Sequence, residues 1–112
     1  MREMEDTVVE IWGEVCSNIE QVLRECQLYG LAGILMIRDP SIQERIDALK
    51  TFDRVCQIIV DNIPGEYYSI VRMMLNAKQQ IINLEILLSA AQNDDSDGFD
   101  RAQEVLRRHI TH

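Results

Sequence analysis

Residues 8–29 read VVEIWGEVCSNIEQVLRECQLY. Val8, Trp12, Val15, Ile19, Val22, Cys26 and Tyr29 recur at alternating steps of four and three. That spacing lines one face of an α-helix and does not fit the two-residue period of a strand. Val9, Cys16 and Leu23 make a second row beside the first. The combined face is wider than a two-stranded coiled coil needs and suits a helix packed against two neighbours. Glu3, Glu10, Glu14, Glu20 and Glu25 fill the remaining surface. The stretch predicts a long amphipathic helix over about residues 4–29. Gly30 and Gly33 then either end it or let it run on, weakened, to residue 37, since each costs about 1 kcal/mol relative to alanine inside a helix.

The same period governs the rest of the chain. Asp39-Pro40 reads as an N-cap followed by a proline at the first helical position. It opens a second helix over about 40–62, with Ile42, Ile46, Leu49, Phe52, Cys56, Ile59, Val60 and Ile63 on its apolar face. Pro64-Gly65 is a short turn, which makes the next helix, about 66–92, an antiparallel neighbour. Its run IINLEILLSAA, residues 81–91, is apolar on most of its circumference. Such a helix is buried on several sides, as the centre of a bundle or in an oligomer interface. A polar break at 93–98 precedes a short fourth helix over about 100–108, with Phe99, Ala102, Leu106 and Ile110 for the core. The fold class expected is all-α: one domain, an antiparallel helical bundle of three long helices plus a short C-terminal fourth.

At 112 residues the chain supports one hydrophobic core. Its formal charge of −8 is uneven: residues 1–28 hold seven acids and two bases, against seven and six over 29–93. An acidic surface repels phosphate backbones, so direct nucleic-acid binding is not expected. The N-terminus lacks the apolar core of a signal peptide. The run LYGLAGILMI, residues 28–37, is half the roughly 20 residues that span a bilayer. Three cysteines without paired spacing do not form a disulfide framework. These features predict a cytoplasmic, reduced protein.

Residues 93–104, NDDSDGFDRAQE, supply Asn93, Asp95, Asp97, Gly98 and Glu104 in the order of a twelve-residue calcium loop. They resemble the EF-hand family, which would imply oxygen ligands from those side chains around a calcium ion. The stretch departs from the pattern in having Asn93 for the first aspartate and Asp100 two positions after the glycine, and no second loop accompanies it. Loop-forming residues followed by a capping box of Asp100 and Gln103 account for the same letters. The expectation is therefore a turn with a cap, and no metal or other cofactor.

Other chemistry is thin. His109 and His112 sit in the chain's last four residues, a poor place for a positioned base. Cys16, Cys26 and Cys56 fall on apolar helix faces and lack zinc spacing. Glu44-Arg-Ile-Asp47 resembles one half of the magnesium-holding motif pair of MazG-type nucleotide pyrophosphohydrolases, but the other half, Glu-x-x-Glu, occurs nowhere. A metal-dependent enzyme or ligand-binding bundle built on Glu44, Asp47 and the carboxylates of the last loop, with magnesium or calcium, is the rival reading. The favoured one is a non-enzymatic protein-interaction module, an adaptor, small chaperone or inhibitor. It would present an apolar helical face in acidic surroundings to a protein partner, which the charge suggests is basic, and its broad apolar faces suggest a homodimer. Trp12, Tyr29, Tyr67, Tyr68, Met73 and Met74 are the candidate contacts, because aromatics anchor interfaces and methionines adapt to them. By analogy of size and charge alone, an acidic inhibitor of a nucleic-acid-binding protein, as phages use against bacterial defence, is a further possibility.

Overall fold

In the computed structural model, residues 2–110 are described, with side chains from 4 to 108. The side chains of Glu3, His109, Ile110 and His112 lie outside the described residues. Four α-helices follow in order: α1 (Arg2–Glu25), α2 (Ile42–Asn62), α3 (Tyr68–Gln92) and α4 (Ser96–Ile110). Short 3-10 turns cover Tyr29–Ile34 and Gly65–Tyr67. Among the described residues there is no strand, and the fold is an all-α bundle.

Helix α1 buries Val8, Ile11, Trp12, Val15, Ile19 and Leu23, and Cys26 just beyond its end is buried too. This corrects the periodic reading at its edges. Val9 is 56% exposed and Tyr29 66% exposed, while Ile11 belongs to the core. A strict heptad row drifts about 20° per repeat around a straight helix. By the last turns Leu23 has replaced Val22 as the residue facing inward, and Val22 is only half-buried.

The helix ends at Gln27, not at a glycine. Gln27 has φ 62°. Its N–H donates to the Arg24 carbonyl at 3.0 Å, and the Leu28 N–H donates to the Leu23 carbonyl at 2.7 Å. This is a Schellman motif, in which the residue after the cap turns left-handed and the next one folds back on the helix. Leu28 packs against the core as it does so. Gly30 and Gly33 have ordinary backbone angles, and a Cβ on either would meet nothing within 4 Å, so neither glycine breaks α1.

Helix α2 is capped by Ser41 rather than Asp39. The Ser41 hydroxyl accepts from the Glu44 N–H at 3.1 Å, and Glu44 Oε1 accepts from the Ser41 N–H at 3.0 Å, a complete capping box. Asp39 has φ 48°, which excludes it from the extended backbone a cap needs.

Helix α3 is the central element. It packs against α1, α2 and α4, whereas α1 and α2 are joined through the 29–34 turn. Asn18 Nδ2 donates to Gln80 Oε1 at 2.9 Å, a polar link between α1 and α3 beside the core. Arg45 of α2 lies over the Trp12 ring of α1, 5.5 Å from its centroid. Phe99, Ala102 and Leu106 seat α4, and Arg107 reaches Glu10 of α1 at 3.6 Å.

Candidate functional site

Helix α3 turns about 100° per residue. Met74, Ala77, Ile81, Leu84 and Leu88 fall on its inner side and are fully buried. Tyr68, Leu75, Ile82 and Ile86 then share a sector of about 40° on the opposite side. Tyr68 is 68% exposed, Leu75 46% and Ile86 52%; Val71 and Ile82 beside them are half-buried. The row runs about 27 Å along the helix. A helix apolar on both sides cannot satisfy both within one small bundle, and here the second side faces solvent.

Ile86 stands between two hollows. One, about 390 Å³, is lined by Glu85, Ser89 and Ala90 of α3 and by Asn93 at its end. The other, about 380 Å³, lies between α3 and α4 and is lined by Asn83, Arg101, Ala102 and Val105. Asp95 and Gly98 border both. Val105 is 37% exposed and continues the apolar surface onto α4. The charged residues of α3 are Arg72, Lys78 and Glu85. Lys78 is turned aside to Asp53, at 3.8 Å, and to Gln57 of α2. A further groove of about 560 Å³ separates the starts of α1 and α2, where Val9, Pro40 and Ile42 meet Arg45 under a rim of Glu5 and Asp39.

The aromatic and methionine candidates divide. Trp12 is a core residue beneath Arg45, and Met74 is fully buried, so neither is a surface anchor. Met73 is half-buried. Tyr67 and Tyr68 are both exposed, because the first turn of α3 has little packed against it. Tyr68 joins the outer row of α3, while Tyr29 sits on the separate 29–34 turn. Leu75, Ile86 and Val105 were absent from the candidates. The signal that could have found them is the all-round apolarity of residues 81–91, once one side is assigned to the core.

Residues 93–104 form a helix junction. Asp94 has φ 55°; its N–H donates to the Ala91 carbonyl at 3.3 Å and the Asp95 N–H to that of Ala90 at 2.9 Å, a second Schellman motif. Asp95 then caps α4, its Oδ1 accepting from the Gly98 N–H at 3.0 Å. The cap is Asp95, not Asp100, so α4 starts four residues earlier than the sequence suggested and Phe99 reaches the core. Asn93 ends α3, Asp97 is exposed in the first turn of α4, and Glu104 pairs with Arg108 at 2.7 Å. Among the described residues no three His, Cys, Asp or Glu side chains group as a metal ion would require.

The other chemical candidates are also engaged elsewhere. Glu44 is held below the usual carboxylate range by the backbone and then the side-chain hydrogen bond of Ser41. Asp47 accepts from Gln43 Nε2 at 3.0 Å on the exposed side of α2. Burial raises the Cys16 thiol to about 12, against the opposing pull of Arg45. Burial, then the charge of Asp53, raises Cys56 to about 11. Burial and Glu25 raise Cys26 as well. Thiols held neutral in this way are poor nucleophiles.

No protein-family model, curated protein or solved structure matches the chain. Among the described residues no helix is long and apolar enough to cross a membrane.

Proposed function

We propose that this protein is a non-enzymatic interaction module, an adaptor, small chaperone or inhibitor, that docks a partner protein on the outer face of α3. The observation that carries this reading is the exposed row of Tyr68, Leu75 and Ile86 on the helix whose other side makes the core. Fully covering a large aliphatic side chain is worth about 1.5–3 kcal/mol. A few such anchors supply most of the energy of an interface. The engaged carboxylates and neutral thiols support a binding role over a chemical one. Three free cysteines suit a reducing compartment such as the cytoplasm.

The outer surface of α1 adds a steering element. Glu5, Asp6 and Glu10 are exposed there, around Val9. Such a surface speeds encounter with a basic partner and lets that encounter weaken with salt. An acidic blocker of a nucleic-acid-binding protein is the form of this module in which α1 itself would make the contact.

Affinity capture from the source lysate with tagged wild type and the double variant Leu75→Glu/Ile86→Glu tests the proposal. A stoichiometric protein recovered by wild type and lost by the variant is the expected result. A partner held equally by both, or no partner including no second copy, would sink it.

A further inference from the structure

We infer that the occupant of this face is a second copy of the same chain, docked about a two-fold axis near Ile86, with Glu85 of each copy opposite Arg101 of the other. The inference rests on the reading of α3 as the docking face and names its partner. A two-fold interface must be complementary to itself. Ile86 is an exposed knob with a hollow on each side, so two copies can interlock, each knob entering a hollow of its mate. The hollows differ in charge: Asp95 borders both, Glu85 adds a second acid to one, and Arg101 sets a base against it in the other. A two-fold operation that exchanges the hollows brings Glu85 of each copy to Arg101 of the other.

The distribution of charge over the whole molecule favours the same face. Two copies of a chain of formal charge −8 repel one another in most orientations. Helix α1 carries seven acids and two bases and would oppose contact. Helix α3 carries Arg72 and Lys78 against Glu85, and α4 carries three acids and three bases. With Asp94 and Asp95 of the junction the α3–α4 side holds six acids and five bases, so two copies meet there with far less repulsion than through α1. A footprint about 27 Å long and two helix diameters wide covers roughly 500–600 Å² per copy, the low end for a specific interface. The dimer should accordingly be weak, with Kd on the order of 10 µM.

Sedimentation equilibrium of wild type from about 1 to 500 µM spans the expected constant. A reversible transition from the 13.0 kDa monomer to a dimer is expected. Ile86→Asp should abolish the dimer while leaving the helical circular dichroism unchanged. Glu85→Arg and Arg101→Glu should each weaken association about tenfold, and the two together should restore it, a rescue that a generally sticky surface would not give. A wild-type monomer at the highest concentration overturns the inference, as does a dimer indifferent to Ile86→Asp or a charge exchange that fails to rescue. If wild type is monomeric yet captures a different protein through Ile86, the second copy is wrong and the docking face stands. If neither self-association nor capture depends on Ile86, both fall.

Discussion

Asp95 and Gly98 should be energetically coupled, and the coupling can be worked from the junction geometry. Asp95 is the N-cap of α4, with Oδ1 3.0 Å from the Gly98 nitrogen. Replacing an aspartate cap by alanine costs about 1 kcal/mol. Gly98 lies inside the first turn of α4 with ordinary backbone angles, so alanine there should gain up to about 1 kcal/mol of helix propensity. A Cβ at Gly98, however, would lie 2.9 Å from Asp95 Cγ and would collide with its Oδ2. The carboxylate must then swing away and give up its bond. In wild type the gain and the lost cap nearly cancel, so Gly98→Ala should change stability by about 0 ± 0.5 kcal/mol. Once Asp95→Ala has removed the carboxylate, the same substitution should stabilise by about 1 kcal/mol, roughly 4 °C in Tm for a domain of this size. Urea and thermal unfolding of the four proteins, followed by circular dichroism, give the coupling directly as a double-mutant cycle. Equal effects of Gly98→Ala in both backgrounds would refute the cap, and with it the account of why residues 93–104 are a helix junction.

Four further outcomes follow from the same structure. Leu84→Ala, at a fully buried site on α3, should cost about 2–5 kcal/mol in urea unfolding. Leu75→Ala on the outer row, measured in dilute protein, should stay within about 0.5 kcal/mol of wild type, and comparable losses at the two sites would mean that α3 is rotated from its described setting. Gln27→Gly should raise the unfolding midpoint, since a left-handed non-glycine residue is strained by about 1–2 kcal/mol and glycine returns roughly half of that as chain entropy; a drop would place the end of α1 elsewhere. The lowered carboxyl of Glu44 makes its capping box a pH-dependent contact. Its stabilisation is present above the unfolded value near 4.5 and is lost as pH falls through the lower folded value, so Glu44→Gln should flatten the acid limb of the stability profile, and an unchanged limb would deny the box in solution.

The outward row on α3 also explains the composition of that helix. Residues 81–91 are apolar on most of their circumference, and the bundle covers all of their large apolar side chains except Ile86, which is exposed, and Ile82, which is half-buried. Isolated exposed leucines are ordinary, but an aligned series with bordering hollows is the form that interaction surfaces take.

Periodicity by itself determined the all-α class, the number of helices and most of the inward faces. A 3.6-residue repeat is a property of the chain alone, and Val8, Val15, Ile19, Leu49, Phe52 and Leu106 declare their side without reference to neighbours. The turn at Pro64-Gly65 was equally local. What the repeat does not encode is which neighbour an apolar face meets. Trp12 and Tyr68 are both aromatic and both helical, yet Arg45 and the core close over one while nothing packs over the other. Nor could the sequence choose among residues that are each acceptable as helix ends. Gly30 and Gly33 were the better local candidates, but Gln27 ends α1 because ending there lets Leu28 fold back onto the core. Asp95, Asp97 and Asp100 could all cap α4; Asp95 does so because a start at Ser96 carries Phe99 into the interior. Helix ends differ by about 1 kcal/mol between alternatives, and burying one large side chain outweighs that. Tertiary packing therefore decided the boundaries, the single central helix and the face left open.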